Sequence, residues 1–227
     1  MFVVLGATGN TGSAVVETLL SKKQPVRVIV RSAEEAVQKS GVEHVVLLSS
    51  VGGHLHGGTG PIRAASYGEH ALGCIAKRLT ILRPCYFMDN WAPVIGAAKA
   101  QGVLPTFIAP PAKIPMISTK DIGRIGAEQL MAGGYGKQIV EMAGPEEYSP
   151  DQAASALSQI LRKTVTAQHA PLSAVVPTFK SFGFSDEAAR LFEEMYTAFS
   201  KGAIGYEHPD KLVRGTVTLD DALRTMV

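Results

Sequence analysis

Gly6, Gly9 and Gly12 stand at three-residue intervals between two apolar stretches. The stretch before them, Phe2 to Leu5, reads as a buried strand, and Val15, Val16, Leu19 and Leu20 after them share one helix face. Strand, glycine turn and helix in that order suit the capture of an anion. Gly6 permits the tight turn, Gly9 lets backbone approach a pyrophosphate, and Gly12 lets the helix lie close to the strand. The free N–H groups at the helix start face the anion, and the helix dipole adds roughly 0.3–1 kcal/mol. Thr8, Asn10 and Thr11 place short polar side chains beside the phosphates. The competing reading is a βα turn that uses glycine for steric reasons alone.

Other residues carry further chemistry. Arg31 closes a second apolar run, about 20 residues after the glycine turn, where dinucleotide folds read the adenosine ribose. An acidic residue there selects NAD, whereas the planar Arg31 fork suits a 2′-phosphate, so the expected cofactor is NADPH. A solvated arginine at a strand end is the alternative. Ser49 and Ser50 end the run His44 to Leu48 and can hydrogen-bond a carbonyl or the cofactor amide, or cap the strand. Tyr67 and His70, with His54, are candidate donors to a reduced oxygen, although an ordinary helix surface is the favoured explanation of Tyr67 and His70. Pro84 and Tyr86 are candidate cofactor contacts at the end of the run Leu79 to Leu82. The segment Cys85 to Trp91 that contains Tyr86 offers an apolar wall beside a flat ring, or ordinary core. His54 and His56 have no third ligand spaced to join them, so no metal site is expected. Cys85 has no placed base that would make it a nucleophile.

The elements that must hold these residues follow from pattern and punctuation. Strands are expected over 25–30, 44–48, 79–82, 138–142 and 164–168. Helices are expected over 33–40 and 62–77, from Ser118 or Thr119 to about 131, and from Ser149 to about 162. A further helix opens at Ser185 and a last one is capped by Thr218. The glycine-rich stretch 51–61 reads as a mobile lid at a strand's C-terminal end. Strict alternation holds to about residue 145. The fold class expected is therefore α/β, with a doubly wound, mostly parallel Rossmann-type sheet over 1–144. A small, mainly helical C-terminal lobe over 145–227, with contributions from 85–117, would bind substrate.

Composition narrows the function classes. Hydrophobic residues make up 46% of the 227, enough for a sizeable core, and the net charge of +2 has no basic cluster. That excludes the electrostatic footprint of a nucleic-acid binder. No apolar run reaches the ~18 residues of a membrane span. The N-terminal run is too short and lacks the basic flank of a signal peptide. Two cysteines make no disulfide framework, so a reduced, cytoplasmic protein is the expectation.

Three segments carry a family resemblance. Gly6-Ala-Thr-Gly-Asn-Thr-Gly12, Val45-Val-Leu-Leu-Ser-Ser-Val51 and Thr80-Ile-Leu-Arg-Pro-Cys-Tyr-Phe-Met-Asp-Asn-Trp91 resemble the NmrA-like atypical short-chain dehydrogenases. The resemblance implies an NAD(P)-binding Rossmann fold with a small C-terminal lobe. Some such proteins reduce quinones, dyes or related aromatic compounds; others are redox sensors that regulate a partner without turnover. Two departures stand out. A third strand, a helix and a fourth strand that usually follow the second strand have no counterpart between Arg31 and His44. If that deletion is genuine, the expressed protein has a mass of 24.0 kDa and a poorer adenine site. The Tyr-x-x-x-Lys pair of ordinary short-chain dehydrogenases is also absent, since Ala71 stands four residues after Tyr67. Without the lysine, Tyr67 is a poor acid at neutral pH. The function expected is NADPH-dependent hydride transfer to a quinone-like or other conjugated aromatic acceptor. The alternative is a non-catalytic NADP(H) sensor acting on a protein partner, and the oligomeric state is left open between monomer and homodimer.

Overall fold

A computed structural model describes residues 1–29 and 42–227. Arg31 and the helix expected over 33–40 lie outside the described residues. Strand β1 (Phe2–Leu5) leads into α1 (Asn10–Ser21) and β2 (Val26–Ile29); β3 (His44–Leu48), α2 (Ile62–Ile75) and β4 (Arg78–Pro84) follow. Next come β5 (Tyr86–Phe87), a 3-10 segment (Met88–Val94), α3 (Ile95–Gln101), β6 (Val103–Thr106) and β7 (Ile114–Ile117). Helix α4 (Thr119–Ala132) and β8 (Lys137–Ala143) complete the alternating part. Beyond them lie β9 (Glu147–Tyr148), α5 (Pro150–Leu161), β10 (Thr166–His169), α6 (Val175–Ser181), α7 (Asp186–Ser200), β11 (Val213–Arg214) and α8 (Leu219–Met226).

Helix starts follow the capping chemistry. Ser118, Ser149, Ser185 and Thr218 each accept a backbone N–H of the first turn, and Ser149 forms a full capping box with Gln152.

The main sheet runs β11-β8-β4-β3 and is parallel throughout. Alternation along β4 sends side chains to both faces. Leu79 and Ile81 pack with Leu72 of α2, while Leu82 packs with Ile122 and Ile125 of α4. Helices therefore cover both faces, the doubly wound arrangement.

The sheet is interrupted. Among the described residues β1 pairs with β2 alone, and no bond links β1 to β3. A cavity of about 630 Å³ separates these two strands, lined by Val3 to Gly6 on one side and His44 to Leu48 on the other. The helical layer spans the break. Helix α1 lies on α4 so closely that a Cβ at Gly123 would come within 2.3 Å of the Ala14 Cβ. Val4, Leu19 and Ala127 share the cluster beneath that contact.

A second core joins Met88, Trp91, Ile95, Leu104 and Met116 to Leu157 of α5 and Leu219 and Leu223 of α8. Residues 88–117 thus pack with the C-terminal helices. Strands β6, β7 and β9 and helices α3 and α6 were outside the sequence reading. Their runs are short, and Pro105 and Pro115 break up two of them. The stretch 51–61 is not a free lid. Val51, Gly52, Gly53, Thr59 and Gly60 are buried, and only residues 56–58 are exposed. Its glycines serve close packing: a Cβ at Gly60 would meet the Leu191 carbonyl at 1.9 Å, and one at Gly53 the Glu69 carboxylate at 2.5 Å.

Candidate cofactor and acceptor site

The glycine turn is built as an anion cradle. Gly6 adopts φ +68°, and the Gly9 N–H donates to the Gly6 carbonyl at 3.0 Å, closing the turn. A Cβ on Gly12 would sit 2.1 Å from the Gly6 carbonyl oxygen, so only glycine lets α1 start this close to β1. Gly9 is the N-cap of α1 and supplies no side-chain cap, and the first turn has no acidic residue. Helix geometry leaves the N–H groups of Asn10, Thr11 and Gly12 without intrahelical partners. They open on the 630 Å³ cavity, whose lining includes Gly6, Gly9, Asn10, Thr11 and Gly12. Uncapped donors, glycine backbone and a first helical turn without a carboxylate fit a pyrophosphate.

A second cavity of about 540 Å³ adjoins the first, and Phe87, Asp89 and Asn90 line both. Its walls are aromatic, with Tyr86, Trp91, Phe107, Phe179, Phe192 and Tyr196 among the lining. Phe179 stacks on Phe192 with centroids 4.0 Å apart, and Phe107 lies 5.1 Å from Tyr196. Asp89 ties the junction to α4, its carboxylate accepting from the Thr119 N–H at 2.9 Å and the Thr119 hydroxyl at 2.6 Å.

A buried ionic cluster stands beside this site. Arg83, at the end of β4, donates twice to Glu69 of α2, at 2.9 and 2.7 Å, and also pairs with Glu207. The Ser49 hydroxyl donates to Glu69 as well. Burial pushes the Glu69 carboxyl up, but the Arg83 and Ser49 bonds outweigh it and hold the group below the usual carboxylate range. Glu141 accepts the backbone N–H groups of Glu207 and His208 at 2.8 and 2.6 Å. The segment 207–208 is thereby fixed to the strand ends.

The sequence-derived residues divide into groups. Gly6, Gly9, Asn10, Thr11 and Gly12 come together around the first cavity, with Thr8 exposed at the turn's outer side. Ser50 and Tyr86 line the second. Tyr86, expected as a cofactor contact, thus faces the aromatic cavity, not the glycine turn. Ser49 is turned toward Glu69, and Pro84 is a buried strand residue lining neither cavity. Tyr67, 70% exposed, and the exposed His70 lie on the outer surface of α2 and line neither cavity. In sequence, Phe192, Tyr196 and Phe199 of α7 read as core or a pocket lid, and they line this cavity, whereas Phe107 and Phe179 gave no such signal. The helical spacing in α7 was visible, but its distance in sequence from Tyr86 hid the contact.

Fold and site together define an α/β protein of Rossmann type whose glycine turn fits a pyrophosphate. No protein-family profile matches this chain. It is 26% identical to Quinone oxidoreductase 2 of Escherichia coli (strain K12) over 179 residues, covering 77% of this chain. That alignment spans only 60% of the relative's length. It is 20% identical to NAD(P)H azoreductase of Xenophilus azovorans over 249 residues, covering 86% of each protein. Since 86% of 227 residues is about 195, about 50 of those 249 positions stand opposite no residue here. Among solved structures, the Escherichia coli NADPH-dependent quinone oxidoreductase in complex with NADPH superposes with a TM-score of 0.79 at 20% identity, over 100% of this chain and 99% of that one. The Citrobacter sp. triphenylmethane reductase complexed with NADP(H) gives 0.78 at 18% identity over the whole of both chains. These likenesses agree with the family resemblance carried by the three sequence motifs.

Proposed function

We propose that this chain is an NADPH-dependent oxidoreductase that reduces a quinone-like or other conjugated aromatic acceptor. One observation carries the reading: the anion cradle and the aromatic cavity meet at Phe87, Asp89 and Asn90. NADPH, when bound, supplies the hydride. The chain's own residues bind and orient. The α1 amides hold the pyrophosphate, Arg31 reads the 2′-phosphate, and Ser50 and the aromatic walls seat the acceptor while excluding water. A quinone or conjugated cation needs no strong enzymic acid, so the lack of a Tyr–Lys pair is no obstacle. The printed functions of the relatives, quinone oxidoreductase and NAD(P)H azoreductase, support the acceptor class. Acceptor-dependent loss of NADPH absorbance is expected, and Gly9→Asp, which pushes a carboxylate into the cradle, abolishes it. No oxidation across a broad panel of quinones and cationic dyes would overturn the reading.

The interrupted sheet favours a second reading, a sensor that binds NADP(H) and acts on a protein partner or as a homodimer. Among the described residues β1 has no partner on the side facing β3, which supports a reading with weaker adenine contacts. That reading predicts cofactor-dependent retention of a partner, and it fails if cofactor leaves the retained proteins unchanged. Among the described residues no helix is long and apolar enough to cross a membrane. The two free cysteines support a cytoplasmic location.

A further inference from the structure

We propose that Tyr86 selects carbonyl-bearing acceptors by donating its hydroxyl hydrogen to a ligand oxygen, with Tyr196 holding that hydroxyl in place until the ligand arrives. This rests on the acceptor-cavity reading above. Tyr86 comes from β5 and Tyr196 from α7, far apart in sequence, and both line the 540 Å³ cavity. The Tyr86 hydroxyl lies within interaction range of the Tyr196 hydroxyl and the Asn90 amide. Its ring is 6.2 Å from Trp91, and Phe107 braces Tyr196 from the other side.

Two of the acceptors near Tyr86 are already engaged. Trp91 Nε1 is buried with no hydrogen-bond partner among the described residues. The Asp89 carboxylate is engaged by Thr119, and the Thr106 hydroxyl by the Ile108 N–H at 3.0 Å. A ligand oxygen in the cavity offers the Tyr86 hydroxyl hydrogen an acceptor. Burial raises the Tyr86 phenol well above its ordinary value, so it stays protonated throughout the working pH range. It acts as a hydrogen-bond donor and keeps its proton. Reduction of a quinone then balances as two electrons and one hydrogen from the delivered hydride, plus one proton from water. Tyr86 steadies the negative charge that gathers on the acceptor oxygen before that proton arrives. A pocket built around a donor discriminates against ligands that leave the donor unpaired.

The test uses the cofactor-free full chain and two probes of one ring system. Menadione has two carbonyls, and 2-methylnaphthalene has none. Wild type is expected to bind menadione more tightly, and Tyr86→Phe to weaken menadione binding about tenfold. Binding of 2-methylnaphthalene stays unchanged, which also reports an intact cavity. Tyr196→Phe keeps the Tyr86 donor, so its preference for menadione persists. In turnover, Tyr86→Phe lowers kcat with menadione but not with a cationic triphenylmethane dye, which has no carbonyl. Equal menadione affinity in wild type and Tyr86→Phe would overturn the role of Tyr86 alone. Failure of wild type to bind either probe would overturn the acceptor cavity, and this role with it.

Discussion

Single residues set the electrostatics next to the site. Glu69 and Glu207 both have carboxyl values held below the ordinary range, Glu69 against the pull of burial and Glu207 by its bond to Arg83. A group depressed in the folded state contributes stability above its unfolded value, about 4.3 for glutamate, and that stability is lost as pH falls through the folded value. The contribution of these two carboxylates to urea-unfolding stability is therefore expected to be nearly flat in pH above about 4.5 and to weaken below it, while His44, held below its ordinary value by burial, adds a decline with falling pH that begins near 6.5. Glu69→Ala leaves the buried Arg83 with Glu207 alone; about 3–5 kcal/mol is the expected loss, read from the same titration. A loss below about 1 kcal/mol, the range of surface pairs, would show that the pair is solvated. Cys85 makes the contrasting case. Burial pushes its thiol up to about 11, whereas Cys74 is exposed. Maleimide at neutral pH should label one site per chain, at Cys74. A second label on folded protein would contradict the buried position of Cys85.

Elements differ in how far the sequence announced them. The β1–turn–α1 unit was legible because its signal is local: glycine spacing, a short apolar run and a helical face. Helices α4, α5, α7 and α8 were legible from Ser118, Ser149, Ser185 and Thr218, whose cap bonds reach only three residues ahead. The stretch 51–61 was misread. Its glycines answer to Leu191 and Glu69, partners that local composition does not reveal. The same limit applied to Ser49, whose orientation depends on Glu69 twenty residues later. The meeting of Tyr86 with α7 is likewise hidden in the sequence, because the two lie far apart along it. Close helix packing can be tested directly. Gly123→Ala puts a methyl 2.3 Å from the Ala14 Cβ and 2.8 Å from its backbone, where neither helix can yield without moving. A destabilisation of about 1–3 kcal/mol is expected from thermal or urea unfolding. An unchanged midpoint would mean that α1 is not seated on α4.

At the scale of the whole molecule, two sheet pieces are held in one body by their helices. The β1–β2 pair carries the glycine turn, while the ends of β3 and β4 lead into the aromatic cavity. A strand between β1 and β3 would join them, and the alignment with the azoreductase leaves about 50 positions without counterpart here. The cradle survives the interruption because its geometry is set within residues 6–13 and by α1 against α4. Pyrophosphate binding at the cradle is therefore expected to depend little on a strand between β1 and β3. Calorimetry with NADPH and NADH, on wild type and Gly9→Asp, measures this most directly. Binding of one NADPH per chain, tighter than NADH and lost in Gly9→Asp, is the predicted result. Absence of heat with either nucleotide, or unaltered binding by Gly9→Asp, would contradict it.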